Sequence, residues 1–184
     1  MKHIRAGAGG QSADANVEGS INDEEYSVYV FPELRFEAEF FDEPEISETK
    51  MPLGVSMTLI KDPISAVSIT ESPEQYLRNY YQATEENAKR ELQSSLNYKL
   101  KHGGLSDLDR RTLKLASKST RFRNSSGIPI AYTVFPISES KRKPPSLYGY
   151  YSLGILGLSY YCAYGMRRNE SEAIHAIERF NFLP

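Results

Sequence analysis

The sequence predicts an α+β fold in which helices cover a mainly antiparallel β-sheet, and three observations support this fold class. Alternating apolar and polar residues, typical of half-buried strands, occur before residue 70 and again after residue 112. Between them lies a long segment with apolar residues at helical spacing. Short turns containing Gly, Pro, Asn or Asp separate the strands, so neighbours in sequence are expected to pair.

The first strands are predicted from this alternation. Segment 26–31 is rich in β-branched and aromatic residues and stops at Pro32. In the following strand the apolar side chains predict one buried face, which leaves Glu37 and Glu39 on the solvent side. Two further strands are expected at 55–60 and 64–69.

One long helix is predicted over residues 73–101. Ser72 is a suitable N-cap, Pro73 suits the first helical position and Gln75 completes a capping box. His102, followed by two glycines, is a plausible end. One face of this helix is predicted to carry a stripe of apolar residues at helical spacing: Leu77, Tyr81, Ala88, Leu92, Leu96 and Leu100.

The C-terminal part is predicted to contain four strands and a short helix. Segment 105–111 is either a short helix capped by Ser106 or a loop. Segments 113–122 and 128–137 predict two strands joined by a turn, and Asn169 can cap the final helix.

Residues 147–166 contain no charge and have the length of a membrane-spanning helix. They contain six tyrosines and four glycines, which favour a β-hairpin with a turn near 154–157. If the two strands are in register, one face is predicted to share these side chains: Tyr148, Tyr150, Tyr160, Cys162, Tyr164 and Met166.

The 184-residue chain is predicted to consist of a disordered tail, 1–22, and a single domain, 23–184. No apolar run of signal-peptide length occurs near the start, so the chain as given predicts a cytoplasmic protein. A periplasmic location is expected instead if a signal peptide was removed.

The composition disfavours metal, cofactor and nucleophilic chemistry. The chain has one cysteine and three histidines, and no two histidines have the spacing of metal ligands. Cys162 lies between aromatic residues and has no base nearby in sequence, so it predicts a small buried strand residue. We therefore expect no metal, no cofactor and no catalytic residue, and hence no enzyme.

Charge is distributed unequally along the chain, although the net charge is −2. Residues 1–98 carry a net charge of −10 and residues 99–184 a net charge of +8. This asymmetry predicts a basic surface that binds a protein partner, in particular an acidic one, whereas the absence of RNA-binding motifs argues against nucleic acid as the ligand. The candidate binding residues are Arg110, Arg111, Arg121, Arg123, Lys141, Arg142, Lys143, Tyr148 and Tyr150.

Two short motifs and the order of elements over about 26–182 resemble the PsbP/DcrB-like superfamily. Residues 36–44 are similar to an early strand that ends in Phe-Pro-x-x-Pro, with Phe41 in place of the first proline, and residues 179–182 to the aromatic end of the last helix. The resemblance implies helices on both sides of an antiparallel sheet. It also implies a binding function, since most members, such as photosystem extrinsic subunits and secretion chaperones, are not enzymes. The fold alone does not select one function.

Two function classes follow. The first is a non-catalytic accessory, chaperone or immunity-type protein that recognises a protein partner through a sheet face and basic loops. The second is a small-molecule carrier or enzyme with a cavity between the sheet and the long helix. An interface filled by side chains favours the first class, and a continuous cavity of roughly 300 Å³ or more with converging polar groups favours the second.

Overall fold

The computed structural model describes residues 26–72, 82–138, 142 and 144–184. Within these residues the chain forms ten strands and three α-helices, with antiparallel pairing throughout, which confirms the predicted α+β class. The strands are β1 (Ser27–Phe31), β2 (Phe36–Phe40), β3 (Glu45–Lys50), β4 (Ser56–Lys61), β5 (Ser65–Glu71), β6 (Arg121–Ser125), β7 (Ile128–Ile137), β8 (Leu147–Leu156), β9 (Ser159–Arg167) and β10 (Asn181–Phe182). The helices are α1 (Glu85–His102), α2 (Asp107–Ala116) and α3 (Glu170–Glu178).

The strands form two sheets. The large sheet has seven strands in the order β3-β4-β5-β9-β8-β7-β6, and the small sheet has the order β1-β2-β10. Strand β10 brings the end of the chain back to β2, where Phe182 pairs with Phe36.

The helices lie on opposite faces of the large sheet. Residues directly opposite each other in an antiparallel pair share a face. Tyr150 is opposite Gly165 on the face that carries α3 and the small sheet, which we call the α3 face. Tyr151 is opposite Tyr164 on the face that carries α1 and α2, which we call the α1–α2 face.

Aromatic side chains fill the space between the small sheet and the α3 face. The rings of Phe36 and Phe180 are 6.0 Å apart, and Phe182 meets Tyr161 edge to face at 5.1 Å. All of these rings except that of Tyr161, which is 6% exposed, are at most 2% exposed. Burial of this aromatic area is the main contribution that joins the two sheets.

The prediction that Glu39 faces solvent is wrong. Its side chain is 8% exposed, and its Oε1 atom lies 3.4 Å from Nη2 of Arg167, which has no exposed side-chain surface. Glu37 is half-buried and accepts a hydrogen bond of 3.0 Å from Asn181. Both faces of β2 are covered, because Glu39 on one face meets Arg167 of β9 and His175 of α3, while Phe36 on the other packs into the aromatic core. Alternation along β2 therefore does not separate exposed from buried positions.

Helix α1 begins later than predicted. Thr84 is the N-cap, and its Oγ1 accepts a hydrogen bond of 3.2 Å from the backbone N–H of Asn87. Residues 82–84 are not helical, so a continuous helix from residue 73 is wrong, while 73–81 lie outside the described residues. Two glutamates in the first turn favour this start. The predicted apolar stripe is confirmed for Ala88, Leu92 and Leu96, which are buried.

The segment after α1 forms a second helix. Ser106 caps α2 by accepting a hydrogen bond of 3.1 Å from Asp109 N–H, which confirms the helical alternative. The strand predicted at 113–122 is wrong, because residues 113–116 belong to α2 and strand β6 starts at Arg121. Leu113 and Ala116, three residues apart, bury the same side of the helix.

The hairpin predicted at 147–166 is confirmed by strands β8 and β9. The turn lies at 157–158, where Gly157 has a φ of 61° that favours glycine. The resulting register places Tyr148 and Tyr150 on the α3 face and Tyr160, Cys162, Tyr164 and Met166 on the other, so the predicted shared face is wrong. Among the described helices, none is both long and apolar enough to cross a membrane.

Candidate ligand-binding cavity

A partly enclosed cavity of about 470 Å³ lies on the α1–α2 face of the large sheet. Helices α1 and α2 pack mainly on β7 and β8, so they leave part of this seven-stranded sheet uncovered on the side of β4 and β5. The cavity is the space between that uncovered part and the sides of the two helices. Its lining is mainly apolar and includes Leu59, Ala66, Leu113, Phe135, Tyr151 and Tyr164.

A row of aromatic rings crosses three strands at the floor of the cavity. Phe135 of β7 stacks on Tyr151 of β8 with ring centroids 6.1 Å apart, and Tyr151 stacks on Tyr164 of β9 at 5.4 Å. Gly149 makes this row possible, because a Cβ atom there would lie 2.5 Å from the Phe135 ring. The rings fix one another and give the cavity a rigid floor.

The floor also offers two phenol groups. Within the described part of the chain, neither the Tyr151 nor the Tyr164 hydroxyl forms a hydrogen bond. Burial raises the pKa of both phenols, so they stay neutral at physiological pH. Each therefore has a hydrogen to donate and an oxygen to accept with, next to an apolar space.

Asp62 fixes one edge of the cavity. Its Oδ1 accepts hydrogen bonds from the N–H groups of Ile64 and Ser65 and from the Ser65 hydroxyl, at 2.6–3.0 Å. Its Oδ2 accepts from the N–H groups of Phe41 and Asp42 at 2.6 and 3.3 Å. This carboxylate therefore holds the β4–β5 turn and joins it to the end of β2.

Helix α2 fixes the opposite edge. The Asp109 carboxylate accepts a hydrogen bond of 2.6 Å from the Ser106 hydroxyl, and the Thr112 hydroxyl donates to the Leu108 carbonyl. The buried Thr133 hydroxyl donates to the Ala116 carbonyl at 2.9 Å, which ties the end of α2 to β7. These bonds hold α2 in place, and they engage the Thr112 hydroxyl and one oxygen of Asp109, which both line the cavity.

Two lysines at the cavity, unlike these side chains, are not engaged in hydrogen bonds within the described part of the chain. Lys61 of β4 and Lys99 of α1 both line the cavity and are exposed at its opening. Among the residues that the structure describes, neither ammonium group has an ion-pair or hydrogen-bond partner. The cavity therefore combines an apolar interior with two free positive charges.

The structure does not bring the predicted arginines together. Arg110 and Arg111 are exposed on α2, on the α1–α2 face, and Arg110 donates a hydrogen bond to the Leu100 carbonyl. Arg121 is opposite Tyr132 and Arg123 opposite Ile130, which places both arginines on the α3 face. The predicted basic set is thus divided between two faces of the sheet.

Arg123 has a structural role. Its guanidinium donates to the Phe180 carbonyl and, at 3.1 and 3.2 Å, to the Asn181 side chain. Burial lowers the pKa of Arg123, and the nearby Glu178 carboxylate partly offsets this effect. Arg123 therefore joins edge strand β6 to the end of the chain through both of its Nη atoms, while its buried Nε has no hydrogen-bond partner among the described residues.

The other predicted binding residues have different surroundings. Tyr150 is 3% exposed beneath α3, so it is not the exposed anchor that we expected. Tyr148 is half-buried against the same helix, and Arg142 is exposed. Lys141 and Lys143 lie outside the described residues.

Cys162 is buried, as the sequence predicts, with 4% of its surface exposed. Burial raises the pKa of its thiol to about 12. At pH 8 the thiolate fraction is then lower by about a thousandfold than in an unfolded chain. We expect iodoacetamide to leave Cys162 unmodified in the native protein and to label it in denaturant, as measured by mass spectrometry. Native labelling at the rate of a free cysteine would contradict this burial.

No protein-family model matches the chain, and a comparison with curated proteins finds no match. The resemblance to the PsbP/DcrB-like superfamily therefore stays a prediction.

Proposed function

We propose that this chain is a non-catalytic binding protein that holds a small, largely apolar molecule in the cavity. The observation that carries the proposal is the cavity of about 470 Å³, which lies within the range of small-molecule sites. Its walls are held by hydrogen bonds that need no ligand, so the site is formed before binding. Preorganisation of this kind reduces the entropy cost of association.

The polar groups around the cavity favour binding over catalysis. Proton transfer needs a titratable group whose acceptor atoms are free to reach the substrate. Asp62 is occupied by turn hydrogen bonds on both oxygens, one oxygen of Asp109 is engaged in the α2 cap, and the two phenols are neutral. The division of the predicted arginines between two faces likewise favours the cavity over a basic surface as the site.

The test uses N-phenyl-1-naphthylamine, a neutral apolar probe whose fluorescence rises in a dry environment. We expect saturable binding to a single site in the wild type. Thr112→Trp places an indole in the cavity and is expected to weaken binding by about tenfold or more, since the probe must compete with the ring for space.

Leu115→Trp is the matched control, because Leu115 lies on the same helix, is 67% exposed and does not line the cavity. It should bind the probe like the wild type. A second measurement is independent of any variant: probe-induced NMR shifts should concentrate on Leu59, Leu113 and Tyr151. Absence of saturable binding, or shifts confined to other surfaces, would refute the proposal.

A further inference from the structure

We infer that the molecule held in the cavity is an amphipathic anion, with an apolar body on the aromatic floor and its anionic group between Lys61 and Lys99. This inference rests on the proposed function and names the ligand class for that site. It does not depend on the candidate binding residues that the charge distribution predicted, because neither lysine is among them.

The two lysines come from different layers of the fold. Lys61 is the last residue of β4, and Lys99 lies in the last turn of α1, so one ammonium rises from the sheet and the other from the helices. Each carries three donors on a flexible stem and has no partner among the described side chains. An anion at the opening can accept from both, and charge-assisted hydrogen bonds are the stronger kind.

Two aspartates also line the cavity, and their carboxylates raise the alternative of a cationic ligand. A cation would be preferred if the Asp62 and Asp109 carboxylates faced the ligand. Five donors surround Asp62, so its acceptor capacity is directed into the turn. One oxygen of Asp109 accepts from the Ser106 hydroxyl at the helix cap, which leaves one carboxylate oxygen against two lysine charges at the opening. The lysines are the charged groups that remain free to move towards a ligand.

The aromatic floor of the cavity determines the chemistry of the remaining part of the ligand. Phe135, Tyr151 and Tyr164 present apolar ring surface, which suits an alkyl chain or an aromatic ring. The two phenols add hydrogen-bonding groups without charge. A molecule with an extended apolar part and one terminal carboxylate, phosphate or sulfate matches both the apolar floor and the two lysines.

The experiment compares three probes that share a ten-carbon chain and differ in the head group: decanoate, decanol and decylamine. Displacement of N-phenyl-1-naphthylamine reports the affinity of each probe. We expect decanoate to bind at least about tenfold more tightly than decanol, and decylamine to bind least. The preference for decanoate should decline as salt rises, since the lysines are exposed.

The double variant Lys61→Met/Lys99→Met should lose the preference for decanoate and keep its affinity for decanol, which also reports that the cavity is intact. Lys50→Met/Lys101→Met is the matched control, because neither of these lysines lines the cavity. Equal affinity for decanoate and decanol, or tightest binding of decylamine, would overturn the inference and leave the proposed function standing. If N-phenyl-1-naphthylamine binds but none of the three probes displaces it, the inference is overturned and the proposed function stands, whereas absence of N-phenyl-1-naphthylamine binding would overturn both.

Discussion

Replacement of Glu39 by glutamine is expected to lower the free energy of unfolding by about 3–5 kcal/mol, because it leaves the Arg167 charge buried without its counterion. Glutamate and glutamine side chains have almost the same size, so the loss of stability reports the missing charge and not a change in packing. Urea denaturation followed by circular dichroism measures it.

The surroundings of Arg167 explain the size of this effect. Its Cζ atom lies 4.4 Å from the ring centroid of Tyr26 and 5.3 Å from that of Tyr150, so aromatic rings replace water around the guanidinium. One Nη atom donates to the Met166 carbonyl, while Nε has no hydrogen-bond partner within the described chain. Glu39 is the only carboxylate whose ion pair with Arg167 is found among the described residues.

Two further variants separate the ion pair from general effects. Glu48→Gln removes a charge from an exposed strand position and should change stability by less than about 0.5 kcal/mol. Glu39→Gln/Arg167→Met removes both charges and should recover much of the loss, since the buried charge is gone. A Glu39→Gln variant as stable as the wild type would show that water reaches Arg167.

The error at Glu39 shows where local sequence patterns stop being informative. Alternation along β2 correctly predicts a strand and its buried residues Phe36, Ala38 and Phe40. It assumes that the other face meets solvent. That face is covered because Arg167, some 130 residues later, lies beneath it, and no local pattern contains this contact.

The hairpin of β8 and β9 shows a second limit. Its glycines and tyrosines were sufficient to predict two paired strands. The register depends on the position of the turn, and a shift of one residue exchanges the faces of a strand. For this reason Tyr151, which stacks on Tyr164 in the cavity, was missing from the predicted face, while Tyr148 and Tyr150 were wrongly included.

The cavity could not be predicted for a related reason. It exists because α1 and α2 cover only part of a seven-stranded sheet, and the width of that sheet includes β3, where the sequence predicted no strand. All six residues of β3 are exposed, and they show no apolar alternation that would indicate a strand. Neither Lys61 nor Lys99 is among the candidate binding residues that the sequence predicted.

The C-terminal strand is held by a close fit between Phe182 and Gly154. A Cβ atom on Gly154 would lie 2.5 Å from the Phe182 ring, and glycine is needed there for space because its backbone has no positive φ. Ser125 and Ser126 on the β6–β7 hairpin add hydrogen bonds of 2.9 Å to the Phe182 N–H and carbonyl groups. The ring is 2% exposed, so the last residues of the chain complete the aromatic core.

Phe182→Ala is accordingly expected to cost about 3–5 kcal/mol of stability, the range for removal of a buried phenylalanine. Gly154→Ala should cost about 1–3 kcal/mol by overpacking against the same ring. Because Gly154 and the Phe182 ring are in contact, the two effects on stability are expected to be coupled. In the Phe182→Ala background the methyl group added by Gly154→Ala meets no ring, so it should leave the free energy of unfolding nearly unchanged. Phe41→Ala, at a residue 40% exposed, is the control and should cost less than about 1 kcal/mol. Additive losses in this cycle, measured by urea denaturation, would mean that the Phe182 ring and Gly154 are not in contact in solution.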